Sequence, residues 1–135
     1  MTVPDAVLEA VRASIPPTVG LHDGEVGSDV LSQGKIVADS IPYVVCYFTP
    51  GDSTTHRVSG RTKRRTTEFQ LTSVGLSRKQ AAAVADRVRA GIEGTRVLGG
   101  LVRQTDSDYV RPDPDARTTD NRTVFYAVNR FSVSN

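Results

Sequence analysis

Residues 69–92 of the chain read FQLTSVGLSRKQAAAVADRVRAGI, and this stretch joins a strand to a helix. In its first part, Phe69 and Leu71 alternate with polar residues, which is typical of a half-buried strand over residues 66–74. Gly75 then interrupts the alternation. Because the apolar period changes from that of a strand to that of a helix directly afterwards, the stretch predicts a sheet with a helix packed against it.

The second part of this stretch predicts a helix over residues 77–93. Ser77 and Gln80 have capping-box spacing, S-x-x-Q, in which the serine oxygen accepts from a free N–H and the glutamine reaches back to the cap. Gly94 is suited to a left-handed stop. The inner face consists mostly of small residues, which lets the helix axis approach a sheet closely. These residues are Ala81, Val84, Ala85, Val88 and Ile92.

Three other segments have the patterns of regular structure. Residues 4–15 place their apolar side chains on one helical stripe and end before Pro16 and Pro17, so they predict a first helix. Residues 43–48, YVVCYF, are β-branched and aromatic without polar alternation, which indicates a central strand that is covered on both faces. Residues 122–133 carry apolar side chains on both sides and predict a long last strand.

The order of these elements predicts the fold class. Residues 97–102 add a strand with a bulge at Gly99 and Gly100, and short apolar pieces within residues 18–40 indicate edge strands. We expect a single domain over residues 1–135 with an α+β fold, in which a single mixed, mostly antiparallel sheet of about four to five strands packs against two helices. A chain of 135 residues, of which 38% are hydrophobic, can bury such a core without disulfides or metals.

The composition excludes several classes of protein. The formal net charge is +2, so the whole molecule is not a polycation built to coat DNA. The single cysteine, Cys46, cannot form a disulfide within its own chain, which suits a reducing cytoplasm. No run approaches the roughly 20 apolar residues of a membrane-spanning helix, and the N-terminus lacks the cationic start and apolar core of a secretory signal. A soluble protein is therefore expected.

The charged residues are concentrated in two long polar segments. The first is predicted to be a long loop or the flexible tip of a hairpin, and the second is predicted to be a long loop. The first, residues 51–65, contains five cations, and no acidic residue lies within residues 53–67. The second, residues 105–121, contains five aspartates against two arginines, and its two prolines do not fit a central strand. The cations are Arg57, Arg61, Lys63, Arg64 and Arg65, and the aspartates are Asp106, Asp108, Asp113, Asp115 and Asp120.

No set of residues predicts catalysis, a metal site or a cofactor site. His22 and His56 have no second pair of ligands at metal-binding spacing. Cys46 lies in the most buried predicted strand, where a thiol packs rather than reacts. The glycines match no phosphate-binding loop, and the aspartates of residues 105–121 lack the fixed spacing and the glycine turn of a calcium loop. We therefore expect that the chain is not an enzyme.

Three interpretations of residues 51–65 are open at this point. The five cations would neutralise at most about five phosphates, which supports only weak, sequence-nonspecific binding of nucleic acid, and no aromatic residue within residues 51–68 offers a stacking platform. A second interpretation is a solvated loop. The third is a protein contact, because arginine pairs with carboxylates at interfaces. If copies associate head to tail, the basic and acidic segments meet between subunits, and such a heterologous contact closes into a ring.

Several segments resemble those of the tail terminator proteins of long-tailed (siphovirus-type) bacteriophages, particularly the phages that infect actinobacteria. These segments are PYVV at residues 42–45, the arginine-rich stretch after a Pro-Gly turn, the strand-to-helix unit at residues 69–92, and the last strand. VGLHDGEV at residues 19–26 is similar to the first strand and turn of that family. The resemblance covers roughly residues 17–133, and residues 69–89 are its most specific part.

The resemblance implies a structural virion protein with no enzymatic step. Family members form a homo-oligomeric ring, commonly a hexamer, at the head-proximal end of the tail tube. The ring stops polymerisation of the tail-tube protein and joins the tail to the head-completion or connector protein. Genome DNA passes through its channel without specific binding. The implied partners are therefore further copies of the chain and these two proteins, and no membrane is involved.

On that picture, the charged residues of both segments lie in the subunit interface or face the channel. We favour the interface because the acidic segment supplies a counterpart for the basic one. A strongly basic channel would also hold the phosphates of the exiting DNA. The alternative function is a small sequence-nonspecific nucleic-acid-binding module that uses residues 57–65.

Overall fold

The structure, a computed structural model, describes residues 2–27, 30–49, 53–56 and 63–134, with the backbone alone for residues 53–56 and 63–65. The elements in chain order are α1 (Val3–Ser14), β1 (Gly20–Asp23), β2 (Leu31–Ser32), β3 (Lys35–Ile36), a short 3-10 helix (Ala38–Ser40), β4 (Tyr43–Phe48), β5 (Ser53–His56), β6 (Lys63–Gly75), α2 (Arg78–Ile92), β7 (Arg96–Val97), β8 (Gly100–Ser107), β9 (Arg111–Arg117) and β10 (Thr123–Ser134). Among these elements there is no helix with the length and apolar character needed to cross a membrane.

Eight of the strands form one sheet. Six lie in the order β1-β4-β6-β10-β8-β7, while β5 pairs with β6 and β9 pairs with β10. The pair of β1 and β4 is parallel, and the other pairs are antiparallel. Strands β2 and β3 form a separate two-stranded sheet. The mixed, mostly antiparallel sheet and the two helices agree with the sequence-based prediction, but the predicted count of four to five strands is wrong.

Local sequence sets the beginning of both helices. The hydroxyl of Thr2 accepts from the backbone N–H of Asp5, and the Asp5 carboxylate accepts from the N–H of Thr2, so α1 begins with a reciprocal capping box. Ser77 caps α2 by accepting from the N–H of Gln80 at 3.0 Å. The Gln80 side chain differs from the prediction because its oxygen accepts from the N–H of Leu76, at 2.7 Å, instead of that of the cap.

The sheet buries side chains on both faces, and α1 and α2 cover one of them. The main cluster lies under the helices and consists of Val7, Val11, Ile15, Val19, Val44, Cys46, Phe69, Leu71, Val84, Val88, Ile92, Val97, Val102, Phe131 and Val133. On the other face lies a smaller cluster, against which Val26, Ile41 and Ala116 pack. It consists of Val30, Ile36, Tyr43, Val45, Val74 and Val124. Strand β4 contributes to both clusters, as its uninterrupted apolar sequence predicts.

The two long polar segments of the sequence contain strands. In the first, β5 pairs with the beginning of β6. In the second, β8 continues to Ser107 and β9 begins at Arg111. Pro112 and Pro114 fit in β9 because this strand pairs with β10 alone and lies at an edge, where a missing N–H breaks no central ladder. The pairing of β5 with β6 fits the hairpin alternative for residues 51–65. The strands within residues 105–121 are not predicted, because strands at an exposed edge carry few apolar residues.

The segment that is predicted as one bulged strand, residues 97–102, is a tight hairpin. Strand β7 ends at Val97, and β8 begins at Gly100, with these two residues paired. Between them, Leu98 and Gly99 have φ values of 48° and 84°. Positive φ at both central positions is the geometry of a type I′ turn, whose twist matches that of the strands. The chain therefore reverses at Leu98, which lies at the tip of an edge hairpin.

Ser73 offers a test of the packing between β6 and α2. Its side chain is 0% exposed, and its hydroxyl has no hydrogen-bond partner among the described residues. Because Ser73→Ala removes an unsatisfied buried hydroxyl with little change in volume, we expect it to raise the free energy of unfolding by about 1 kcal/mol. Urea unfolding of both proteins measures the difference.

A matched control is available at Thr118, which is also 0% exposed. Its hydroxyl is satisfied, since it accepts from the N–H of Arg122 at 2.8 Å and donates to Asp120. Thr118→Val should therefore lower the free energy of unfolding by about 1–3 kcal/mol, the opposite sign. A loss of stability in Ser73→Ala would show that its hydroxyl is bonded in solution.

Candidate functional site

The basic segment of the sequence belongs to a hairpin that extends past the rest of the sheet. Strand β5 pairs with the beginning of β6, up to Thr66. On the other side of β6, the ladder with β10 ends at the pair of Ser134 and Thr66. The backbone of residues 53–56 and 63–65 therefore forms a two-stranded ribbon beyond the end of β10. We name residues 53–65 the basic arm.

The basic arm contains all five predicted cations. Lys63, Arg64 and Arg65 occupy the first three positions of β6. Arg57 and Arg61 lie outside the described residues. Residues 53–65 carry five cations and no acidic residue, and the three of them in β6 lie in the ribbon beyond the end of β10.

Two of the predicted acidic residues are paired with arginines of the same chain. Asp106 lies 3.0 Å from the guanidinium of Arg130. Asp108 lies 3.4 Å from Arg111 and 3.9 Å from Arg130. Sequence reasoning misses Arg130 because it stands 24 residues away from Asp106 and meets it only through the register of β10 against β8. No local pattern in the sequence reports such a pair.

Asp120 is also held within the chain. Its carboxylate lies 2.8 Å from the side chain of Arg122 and accepts from the hydroxyl of Thr118. The hydrogen bond from Arg122, and after it the one from Thr118, lowers the pKa of Asp120. The carboxylate is therefore ionised at neutral pH, and its charge already has a partner.

Asp113 and Asp115 differ from the other three aspartates. Both belong to the edge strand β9, and Asp115 is exposed. Asp113 accepts from the backbone N–H of Asp115 at 3.0 Å. Within the part of the chain that the structure describes, no ion pair joins either carboxylate to a cation. The predicted acidic set therefore divides into three residues with internal partners and two that are free to contact an external cation.

A shallow groove of about 400 Å³ lies on the sheet near the base of the basic arm. Tyr47, Gln70 and Arg130 line it and stand opposite one another across β4, β6 and β10. Tyr47 is 43% exposed, so the groove has an aromatic wall. The groove therefore offers an open surface for contact.

The reactive residue types in the described chain are placed for packing. Burial raises the pKa of the Cys46 thiol to about 12, so the thiol stays protonated and unreactive. His22 contacts Tyr43 edge to face, with ring centroids 5.5 Å apart. The side chain of His56 lies outside the described set. Over residues 2–27, 30–49 and 66–134, no three metal-ligating side chains come together.

Comparison with known proteins identifies the fold. No protein-family model matches the sequence, and no curated protein matches it. One similar solved structure is a chain of the virion of a native gene transfer agent particle, with a TM-score of 0.55 and 12% identity, covering 97% of this chain and 93% of that one. Another, which carries only a protein identifier as its name, has a TM-score of 0.50 and 16% identity, covering 96% of this chain and 88% of that one. At these identities the likeness shows a shared fold.

Proposed function

We propose that this chain is a structural protein of a phage-like virion and, within that class, a tail terminator. The observation that carries the proposal is the shared fold, which extends over 97% of this chain and 93% of a chain from a gene transfer agent virion. The chemistry of the described residues is consistent with it, because they contain no cluster of metal ligands and their one thiol is unreactive.

In this role, copies of the chain form a ring, a hexamer, at the head-proximal end of the tail tube. The ring stops polymerisation of the tail-tube protein and joins the tail to the connector of the head. Genome DNA passes through the ring without specific binding. The partners are therefore other copies of the chain, the tail-tube protein and the head-completion protein.

The basic arm contacts the neighbouring subunit in this ring. Three of its five cations, Lys63, Arg64 and Arg65, lie in the ribbon that extends beyond the end of β10. The acidic residues without internal ion pairs, Asp113 and Asp115, lie on the edge strand β9. Opposite charges direct the arm of one subunit to β9 of the next. Pro112 and Pro114 lack N–H groups, so β9 cannot continue a regular ladder into the neighbour, and side chains make the contact.

Charge selects the orientation of this contact more than its strength. An exposed ion pair contributes about 0–1 kcal/mol, so the pairs of the arm cannot hold a ring together alone. Apolar contact must supply the remaining affinity. Association should therefore weaken with rising salt without disappearing.

The proposal is tested by adding the chain to polymerising tail-tube protein of the same virus. We expect the wild type to stop tube growth and to remain at tube ends as a ring that electron microscopy resolves. The triple variant Arg61→Ala, Arg64→Ala, Arg65→Ala should lose at least tenfold in affinity for tube ends, because it removes three of the five cations that would meet the carboxylates of Asp113 and Asp115. The melting temperature of the free chain should be unchanged.

The matched control removes three exposed cations from other parts of the surface, with Lys35→Ala, Arg78→Ala and Lys79→Ala. It has the same net charge as the arm variant and should cap tubes like the wild type. If the wild type leaves tube length unchanged and never appears at tube ends, the tail terminator function is wrong.

A second candidate function has one observation in its favour. A two-stranded ribbon is an element that the major groove of DNA admits, and residues 53–56 and 63–66 form such a ribbon with three cations in it. The same variants separate the two functions. The nucleic-acid-binding module would be established by three results together. Binding to duplex DNA would weaken with salt by the equivalent of about five phosphates, and the arm variant would lose this binding. The wild type would have no effect on tubes.

A further inference from the structure

A small apolar pocket lies between helix α2 and the segment that joins α1 to β1. Its volume is about 100 Å³, below the roughly 150 Å³ of a cavity that takes benzene, so it suits one aliphatic side chain. Most of its lining residues are buried, while Ala83 is exposed, so the pocket opens beside Ala83. The lining residues are Ile15, Pro16, Val19, Ala83, Val84 and Arg87.

Backbone contacts hold the walls of this pocket in place. The N–H of Val19 donates to the carbonyl oxygen of Pro16 at 3.0 Å, which closes the chain into a turn after α1. Further along α2, a Cβ at Gly91 would lie 2.2 Å from the Cβ of Ser14, so the end of α1 rests directly on α2. The pocket is therefore formed before anything binds, and an occupant does not have to order its walls.

The charge at the pocket is positive. Arg87 lines the pocket and is exposed. The guanidinium of Arg12 donates to the carbonyl oxygen of Val19 at 3.3 Å, so a second cation stands beside the pocket wall. Among the described residues, no carboxylate lines the pocket, and neither arginine has an ion-pair partner. Both charges are therefore available to an anion of another molecule.

These features select the chemistry of an occupant. The pocket has room for one branched aliphatic side chain, and arginine beside it pairs with a carboxylate. A protein segment in which leucine or isoleucine stands next to aspartate or glutamate carries both groups side by side. A second copy of this chain is a poor match, because the exposed leucines of the described residues, Leu31 and Leu98, have no acidic residue directly before or after them.

We propose that this pocket docks a different protein through an aliphatic side chain that stands beside a carboxylate. The aliphatic side chain fills the space between α2 and the α1–β1 segment, and the carboxylate lies against Arg87 and Arg12. The buried side chain is the anchor of the contact, whereas the exposed ion pairs select a segment of the right charge. This docking does not depend on the tail terminator function.

Titration of the isotope-labelled chain with short peptides, followed by NMR, tests the pocket. The probe is the peptide acetyl-Ser-Gly-Leu-Asp-Gly-Ser-amide. We expect saturable shifts of the backbone amide signals of Val19, Ala83 and Arg87. Alanine in place of the peptide's leucine should weaken binding by about tenfold or more, through loss of the buried anchor. Asparagine in place of its aspartate should weaken binding about threefold, through loss of exposed ion pairs.

Two variants of the chain test the pocket residues, each with a matched control on α2. Ala83→Leu fills the mouth of the pocket with a good helix former and should abolish binding, whereas Ala90→Leu, at an exposed alanine outside the pocket, should not. Arg87→Gln should remove most of the preference for aspartate over asparagine in the peptide. Arg78→Gln removes an exposed cation that does not line the pocket and should keep this preference. All four variants should keep the melting temperature of the wild type within a few degrees.

Four results would overturn the proposal. The first two are the absence of saturable shifts at the pocket and equal binding of the alanine peptide. The third is tighter binding of free isocaproate than of the peptide, which would identify a small carboxylate as the occupant. The fourth is a shift of the same signals when the chain alone is concentrated, which would identify a second copy. Failure of the wild type to act on tubes would sink the tail terminator function and leave this pocket standing.

Discussion

Phe131→Ala is expected to lower the free energy of unfolding by about 4 kcal/mol, because the truncation removes a whole buried ring and leaves a cavity behind. Phe131 is 1% exposed and stands in a row of three aromatic residues across β4, β6 and β10. Its ring stacks on that of Phe69 at 5.4 Å between centroids, and Phe69 meets Phe48 at 5.8 Å. The cavity lies beneath the helices, where rigid strands cannot move to fill it.

Chemical denaturation of both proteins measures the loss in the free energy of unfolding. We expect the m-value, the slope of that free energy against denaturant concentration, to be the same in both. Phe125→Ala is the control, because Phe125 lies in the same strand but is only partly buried. It removes the same atoms and should cost about half as much, since part of that ring is already in water. Equal losses in the two variants would show that the aromatic row is no better packed than the end of the strand.

Gly75→Ala is expected to cost about 3 kcal/mol, although intrinsic strand propensity alone favours alanine over glycine. A Cβ at position 75 would lie 2.6 Å from the backbone nitrogen of Ala81, in the first turn of α2. Backbone cannot yield there without moving the helix away from the sheet. A lower free energy of unfolding in Gly75→Ala would therefore reflect the close packing of α2 on β6. A higher one would reflect strand propensity.

Gly94→Ala serves as the control for this variant. Gly94 follows α2 with a φ of 81°, and no atom lies within 4 Å of a Cβ built there. The expected loss is about 1 kcal/mol, from backbone strain alone. Thermal unfolding of the two variants compares a steric cost with a conformational one. A stabilised Gly75→Ala would show that α2 lies further from β6 than the structure places it.

Local patterns predict the elements that form by local rules. The capping residues Ser77 and Gly94 delimit α2, and the apolar run of β4 indicates a strand that is covered on both faces, as the two core clusters show. The alternation around Phe69 and Leu71 assigns the helix-facing side of β6. These features depend on neighbours within a few residues, so a single sequence contains the information.

The candidate site is predicted only in part. Sequence reasoning finds the concentration of positive charge, but it treats the acidic residues as one set, whereas the register of β10 against β8 gives Asp106 and Asp108 a partner in Arg130. It also places Leu98 inside a strand, whereas the chain reverses there. The first error concerns which distant residues become neighbours, which local composition does not encode. The second arises because leucine is not a residue that signals a turn with positive φ.

The sequence by itself determines two capped helices, a doubly covered central strand, the absence of a catalytic pattern and the uneven distribution of charge, because each is a matter of residue type and short-range order. The tertiary structure alone decides the eight-stranded order, the extension of the basic arm beyond β10, the internal pairing of three aspartates and the reversal of the chain at Leu98. The physical reason is that strand pairing joins residues far apart in the chain, and its register is set by the burial of whole faces.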